Sequence, residues 1–373
     1  MFHFIFTLPW LYVVSRTIVP LPWAMTVKIA VALVLLIASQ FHFWSRLSSG
    51  SVFAPEFPRP VVILFNWAFG AIVLLAAFQI TLDLAGLLAM IGGIGGAGAW
   101  IGARYAIAIA AFALSAWGVR QAIGIPRLKD VAVAIPNLPA AFDGYRLIQL
   151  TDLHISRMFP ASWTRAVVDA TNRLGADLIV VTGDVIDGNV ATRRADVESL
   201  RDLRAPDGVY LSPGNHEYLS GYDTWMAHFA GLGMSLLPNA HAVIARGADR
   251  LVLAGVTDPS ARGVNRPLPD LGKALAGAPP HAPILLLDHE PRRAREAAER
   301  GVALQLSGHT HGGMIVGLDR IVARANGGFV SGRYAVGGMT LYVNNGTGIW
   351  PGFALRLGRP SELTRITLCR IDD

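Results

Sequence analysis

The chain has 373 residues, room for two or three domains at about 150 residues each, and is 53% hydrophobic and only 16% charged. Soluble domains average about 25% charged, so a uniformly soluble chain does not fit. A net charge of +6 without a Lys/Arg block argues against the basic face that nucleic-acid binding needs, and the single Cys369 excludes an intrachain disulfide and a thiolate-built zinc site.

Residues 1–123 hold six Lys/Arg and two acids, whereas the remaining 250 hold 26 and 24. An apolar third therefore joins a soluble two-thirds. A span needs roughly 17–25 apolar residues. Candidates are 4–22, 24–44, 61–82 and 101–123, with Pro20 and Pro22 breaking the first from the second. The expectation is an all-helical transmembrane region over 1–123 with about four spans. A cleaved signal peptide fits poorly, because a basic leading region and a small-x-small site are both missing. With four spans, Arg46, Arg59, Arg120, Arg127 and Lys129 share one side and Arg16, Lys28 and Arg104 the other. The positive-inside rule then favours a cytoplasmic soluble domain, by a narrow margin.

Gly93, Gly95 and Gly98 match G-x-G-x-x-G. A dinucleotide site needs a preceding strand and an acid about 20 residues later, and neither is present. Pairs such as Gly92/Gly96 and Gly98/Gly102 are read instead as small-residue helix contacts.

Pro126, Pro136 and Pro139 mark a linker and domain entry over 124–144. From 145 to 373 the texture alternates. Strand-like runs at 145–151, 177–182, 208–212, 284–287, 302–307, 341–344 and 363–370 are separated by helical stretches at 161–174, 191–203 and 291–300, with a hairpin over 241–256. This order predicts a layered α/β domain with outer helices.

Five strand ends each deliver Asp, Asn or His: Asp152-Leu153-His154, Asp184, Asn215-His216, His289, and His309-Thr310-His311. Ligands collect outside the carboxyl ends of strands in α/β sheets. Ligands two residues apart in Asp152-x-His154 and His309-x-His311 would share a face in extended backbone. Gly183, Gly214 and Gly308 each precede a candidate ligand, where a side chain would hinder close approach. Carboxylate, amide and imidazole donors without thiolate suit Mn, Fe or Zn, and seven donors are too many for one ion.

Taken in order, Asp152-x-His154, Gly183-Asp184-x-x-Asp187, Gly214-Asn215-His216-Glu217, His289 and Gly308-His309-Thr310-His311 resemble the signature of calcineurin-like metallophosphoesterases, over about 145–350. The tail around Asn345-Gly346-Thr347-Gly348 and Arg359-Pro360-Ser361-Glu362 is similar to membrane-associated bacterial members. The resemblance implies a two-sheet sandwich flanked by helices. It implies two divalent ions (Mn, Fe or Zn): one held by Asp152, His154 and His311, the other by Asn215, His289 and His309, with Asp184 bridging. It implies His216 as the catalytic residue beside the scissile phosphate, with Asp187 and Glu217 orienting ligands. The implied reaction is hydrolysis of phosphomonoesters, phosphodiesters or pyrophosphates by hydroxide that two ions activate. A membrane anchor points to a lipid-linked substrate; the oligomeric state is open. The competing reading is a membrane protein that uses such a domain to bind metal or ligand and signal without turnover.

Overall fold

The structure is a computed structural model describing residues 2–93 and 100–371, the first five of them by backbone alone. The chain divides into two units, one of residues 1–122 with 351–357 and one of 123–350 with 358–373.

The first unit is helical. Helix α1 (Phe2–Val13) runs into a π-helical turn, Val14–Ile18. Helices α2 (Met25–Ser39) and α3 (Phe41–Ser49) follow, bent by 51°. Helix α4 (Arg59–Ile91) opens with Pro60 in its first turn, where the missing N–H is harmless, and α5 (Trp100–Ala122) completes the set. Among the described residues, α4 and α5 are each long and apolar enough to cross a membrane, and α2 with α3 make a third if the bent pair is one span. The apolar stretch from 84 continues α4 to Ile91, and Gly93 then takes φ +66°. Gly95, Gly96 and Gly98 lie outside the described residues.

Small residues let α4 and α5 approach each other and the 351–357 segment. A Cβ on Gly118 would come within 2.5 Å of Leu355, and one on Gly70 within 2.7 Å of Ser115 Oγ. Asn66, buried on α4, donates to Pro351 O at 2.9 Å and accepts from Ala354 N at 2.7 Å. Phe353 packs edge-on against Phe69.

The second unit is a two-sheet sandwich. Its elements, in order, are β1 (Arg127–Ile135), β2 (Arg146–Leu150), α6 (Ala161–Asn172), β3 (Leu178–Thr182), α7 (Val190–Val197), β4 (Val209–Ser212), α8 (Asn215–Leu219), α9 (Tyr222–Gly231) and β5 (Ser235–Leu236). There follow β6 (Ala240–Arg246), β7 (Asp249–Gly255), α10 (Leu271–Ala274), β8 (Ile284–Leu287), α11 (Ala294–Glu299), β9 (Leu304–Ser307), α12 (Asp319–Ala325), β10 (Gly332–Val336), β11 (Met339–Val343) and β12 (Glu362–Arg370). The first sheet has order β1-β12-β2-β3-β4-β5 and the second β10-β11-β9-β8-β7-β6. The apolar faces meet in one core that includes Leu147, Val180, Leu253, Leu285, Leu306 and Ile366. A second core, with Leu286, Leu341 and Phe329, forms where α10 and α11 cover the outer face of the second sheet.

The stretch read as a linker carries β1, which pairs in parallel with β12 from Arg127↔Glu362 to Ile135↔Arg370. Strands β2, β3 and β4 run parallel, as do β8 and β9. Their carboxyl ends are joined across the sandwich by Gln149, whose Nε2 donates to Thr182 Oγ1 and to Ser307 O. A buried glutamine closing an apolar strand thus ties both sheets at the edge where the candidate ligands emerge.

Candidate metal centre

The strand-end loops are not extended. Asp152, His154, Asp184, His309 and His311 all have left-handed backbones, with φ between 46° and 68°. Such angles are uncommon for residues with a Cβ and collect at functional sites. The expectation that both members of each x-spaced pair share an extended face is therefore corrected. The chain kinks at each donor, and loop-to-loop hydrogen bonds hold the kinks: Asp152 N donates to Gly183 O and His154 N to Asp184 O.

The glycines meet the close approach expected of them. A Cβ on Gly214 would lie 2.3 Å from Asp184 Oδ1, and one on Gly308 2.2 Å from Asp152 Oδ2. Neither position has room for a methyl group.

All eight residues of the sequence reading converge. Three overlapping groups place donor atoms within 4.8 Å of one another: Asp152/His154/His311, His154/Asp184/His216 and Asp184/His289/His309. Asp184 Oδ2 is 3.7 Å from His154 Nε2, 3.2 Å from His289 Nε2 and 3.9 Å from His216 Nε2. Asn215 Oδ1 lies 3.2 Å from His289 Nε2 and 3.0 Å from His309 Nδ1. His311 Nε2 lies 3.7 Å from Asp152 Oδ1 and 3.2 Å from His154 Nε2.

The surrounding contacts set the tautomers. Asp187 takes His154 Nδ1 on one oxygen at 3.1 Å and His216 Nδ1 on the other at 2.5 Å. An ionised carboxylate only accepts, so Nδ1 carries the hydrogen and Nε2 of both rings faces the donor cluster. Thr182 O accepts from His289 Nδ1 at 2.7 Å with the same result. Glu217 accepts the backbone N–H groups of Gly214, Asp184 and Val185. His216 N and His309 N donate to Asp184 and Asp152 in turn.

Electrostatics show how much negative charge is gathered. Asp152, Asp184, Asp187 and Glu217 are all buried. Burial raises Asp152, and burial with the charge of Asp184 lifts Glu217 to about 7. Burial would also raise Asp184, but His289 and His216 outweigh it and hold it well below the usual range. Burial opposes the His216 imidazolium, yet Asp184 and Asp187 carry it up to about 9. His309, buried and facing His289, falls to about 3. Imidazoles form ion pairs with all three aspartates. A pocket that gathers this many carboxylates, an amide oxygen and imidazole nitrogens within reach of one another fits divalent cations.

Other residues appear that local sequence did not assign. Thr347 N and Gly348 N donate to Thr151 O and Asp152 O, so the loop after β11 backs the first donor pair. Thr151 Oγ1 donates to Asp152 Oδ2. The sequence signals were the polar Gln149 and Thr151 at the end of an apolar strand and the Asn345-Gly346-Thr347-Gly348 run. Asp288 pairs with Arg293 at 2.7 Å, while buried Asp258 adds its charge beside His289. His241 Nδ1 donates to Ala274 O at 2.7 Å, outside the cluster.

Residues 145–313 match the calcineurin-like phosphoesterase family. A Danio rerio "transmembrane protein with metallophosphoesterase domain" is 34% identical over 264 residues, covering 68% of this chain and 60% of its own length. An uncharacterized metallophosphoesterase of Helicobacter pylori is 30% identical over 253 residues, covering 67% of this chain and 66% of its own. The chain thus spans less than two thirds of the length of these two relatives. YkuE of Bacillus subtilis, an uncharacterized metallophosphoesterase, is 31% identical over 239 residues, 62% of this chain and 81% of its own. Similarity over four fifths of that relative, with the family match running from the first donor pair to the last, establishes that the chain belongs to the calcineurin-like phosphoesterase family.

Proposed function

We propose that the protein is a membrane-anchored phosphoesterase that uses two divalent ions (Mn, Fe or Zn) to hydrolyse a phosphate ester. The observation that carries this reading is the position of Asp184, whose one oxygen lies within 3.2–3.9 Å of imidazole nitrogens from both flanking donor groups. A carboxylate so placed is suited to bridge two ions. Asp152, His154 and His311 would hold an ion on one side; Asn215, His289 and His309 would hold one on the other. When bound, such ions neutralise phosphoryl oxygens and make water acidic enough to attack near neutral pH.

The chain's own residues supply the rest. Asp187 holds His216 through Nδ1, which leaves Nε2 to donate a proton to the leaving oxygen. Glu217 fixes the Asp184 backbone, and Asp187 fixes the His154 ring; both orient ligands.

The substrate class is read as lipid-linked. Among the described residues, two helices are long and apolar enough to cross a membrane, and a bent pair makes a third if it is one span. Val316, on the loop after His311, and Ile321, on α12, are each 63% exposed and lie within ten residues of His311; α12 also exposes Arg320 and Arg324. Apolar side chains flanked by arginine suit a bilayer surface.

The test uses the full chain in detergent, stripped of metal and reloaded with Mn²⁺, Zn²⁺ or Fe²⁺. Hydrolysis of a model phosphodiester should return with metal and be lost in both Asp184→Asn and His216→Ala. Elemental analysis should find about two ions per chain in wild type and His216→Ala. A chain that folds but holds no metal would end this reading.

A further inference from the structure

The helical unit carries a second charged site with no part in the metal centre. A cavity of 290 Å³ is lined by Arg16, Asp83, Leu87, Met90, Trp100 and Arg104, among others. Asp83 is fully engaged: one oxygen accepts from Tyr12 OH at 2.6 Å and Arg16 Nε at 2.8 Å, the other from Gln79 Nε2 at 2.8 Å. Arg104 Nε donates to Arg16 O at 3.0 Å, and no carboxylate pairs with Arg104 among the described residues. The cavity therefore holds two guanidinium groups against one acid, both bonded to protein through Nε; Arg16 also interacts with Tyr12, whereas no acceptor is bonded to the Arg104 Nη pair among the described residues.

Position along the helices gives the site its depth. Helix α4 has 33 residues, about 50 Å at 1.5 Å per residue, against roughly 30 Å of bilayer hydrocarbon. Asp83 lies about 36 Å from Arg59 along that axis, so it reaches one hydrocarbon boundary. Arg104 is in the second turn of α5, and Trp23 contacts Tyr105 at the same end. Aromatic rings of this kind mark the headgroup level. The remaining wall is apolar and open: Leu87 is 48% and Met90 71% exposed.

We infer that this cavity binds the phosphate of an anionic glycerophospholipid, with the acyl chains lying along Leu87 and Met90. Guanidinium forks match phosphate oxygens in paired hydrogen bonds. An arginine at the headgroup level lies where lipid phosphates are, and basic pockets between spanning helices bind anionic head groups. The net positive charge repels the cationic group of a zwitterionic headgroup, so the site selects charge type. The volume suits a headgroup and not an entire lipid. The inference rests on the helical unit lying in a bilayer and is independent of catalysis.

The experiment uses the full, metal-stripped chain, so that no lipid is hydrolysed, reconstituted in nanodiscs of equal phosphatidylglycerol and phosphatidylcholine. Native mass spectrometry after detergent extraction should find phosphatidylglycerol retained several-fold over phosphatidylcholine, at one per chain. Arg104→Gln should remove the preference, and Arg104→Lys should keep part of it. Equal retention of the two lipids by the wild-type chain would overturn the inference without needing a variant, as would undiminished selectivity in Arg104→Gln. Displacement of the lipid by millimolar inorganic phosphate would identify free phosphate as the ligand and overturn the lipid assignment. Failure to enter nanodiscs at all would sink the membrane reading together with this one, whereas a chain that selects phosphatidylglycerol yet stays inactive after reloading with Mn²⁺, Zn²⁺ or Fe²⁺ would sink only the phosphoesterase reading.

Discussion

The carboxylate of Glu217 grips the backbone of Asp184: its Oε2 accepts the Asp184 N–H at 2.9 Å while its Oε1 accepts that of Val185 at 2.8 Å. The same Oε2 also takes Gly214 N at 2.7 Å. One side chain that touches no other candidate ligand's donor atom thus fixes the kinked residue on which both donor groups depend. Glu217→Gln would present one acceptor oxygen and an NH₂ group to three N–H donors. Each buried donor left unpaired costs about 1–3 kcal/mol. Metal affinity should fall about 10–100-fold, read by titration with a fluorescent chelator. Unchanged affinity would show that the Asp184 kink is held by other contacts.

Gly214→Ala tests the close approach of two loops. The added methyl would stand 2.3 Å from Asp184 Oδ1, so the carboxylate or the loop must shift. Metal content should drop sharply by elemental analysis while far-ultraviolet circular dichroism stays near wild type, because the clash is confined to strand-end loops. Full metal occupancy in the alanine variant would disprove the packing argument.

Away from the metal centre, acid and base limits of stability come from one cluster. Burial alone would raise Asp177, but the Arg146 N–H and the Arg246 guanidinium outweigh it and lower its pKa. Its contribution is therefore full above the unfolded value of about 3.9 and lost as pH falls through the lower folded value. Tyr145 has the opposite sign. Burial, and then the hydrogen bond it donates to Asp207 at 2.6 Å, raise its pKa. That contribution is full below the unfolded value of about 10 and declines at higher pH, where the unfolded chain loses a proton the folded chain keeps. Chemical denaturation across pH should show the acid decline flattened in Asp177→Asn and the alkaline decline flattened in Tyr145→Phe. Parallel curves for wild type and variants would refute the assignment.

Asn66 offers a test inside the helical unit. Its amide group pairs with both Pro351 O and Ala354 N. Asn66→Ala leaves a buried carbonyl and a buried N–H without that partner, a loss of about 1–3 kcal/mol. The melting temperature in detergent should fall by several degrees. Asn66→Asp should be worse than wild type too, since a carboxylate cannot donate to Pro351 O. No shift in either would mean that the 351–357 segment is held by its apolar contacts alone.

The donor residues were legible because each sits within a few residues of a strand end: Asp152 after Leu150, Asp184 after Thr182, His309 after Ser307. Local pattern marks the strand, and parallel pairing then gathers the ends. The left-handed backbone at those donors was not legible. It is imposed by contacts between loops, such as Asp152 N to Gly183 O, and the residues themselves disfavour it. Strand β1 was hidden for a related reason. Its partner lies more than 200 residues away, and prolines on both sides gave the stretch the composition of a linker. The short helices α8, α9 and α12 are bounded by loop packing and not by a long apolar period, so no window of sequence announced them.

The assignment of Pro351–Leu357 to the helical unit bears on how the protein is made. Synthesis runs from the amino end towards the carboxyl end, so α4 and α5 leave the ribosome more than 200 residues before Phe353 and Leu355 exist. Until then Gly70 and Gly118 face an unfilled slot, and Asn66 lacks its partners. The chain must return to the first unit after building most of the second and then leave again to add β12, which completes the first sheet between β1 and β2. Neither unit is a continuous stretch of chain, so a cut at the obvious boundary after residue 122 yields two incomplete products: a helix bundle missing its last piece, and a sandwich trailing Phe353, Leu355 and Leu357 bare of their partners.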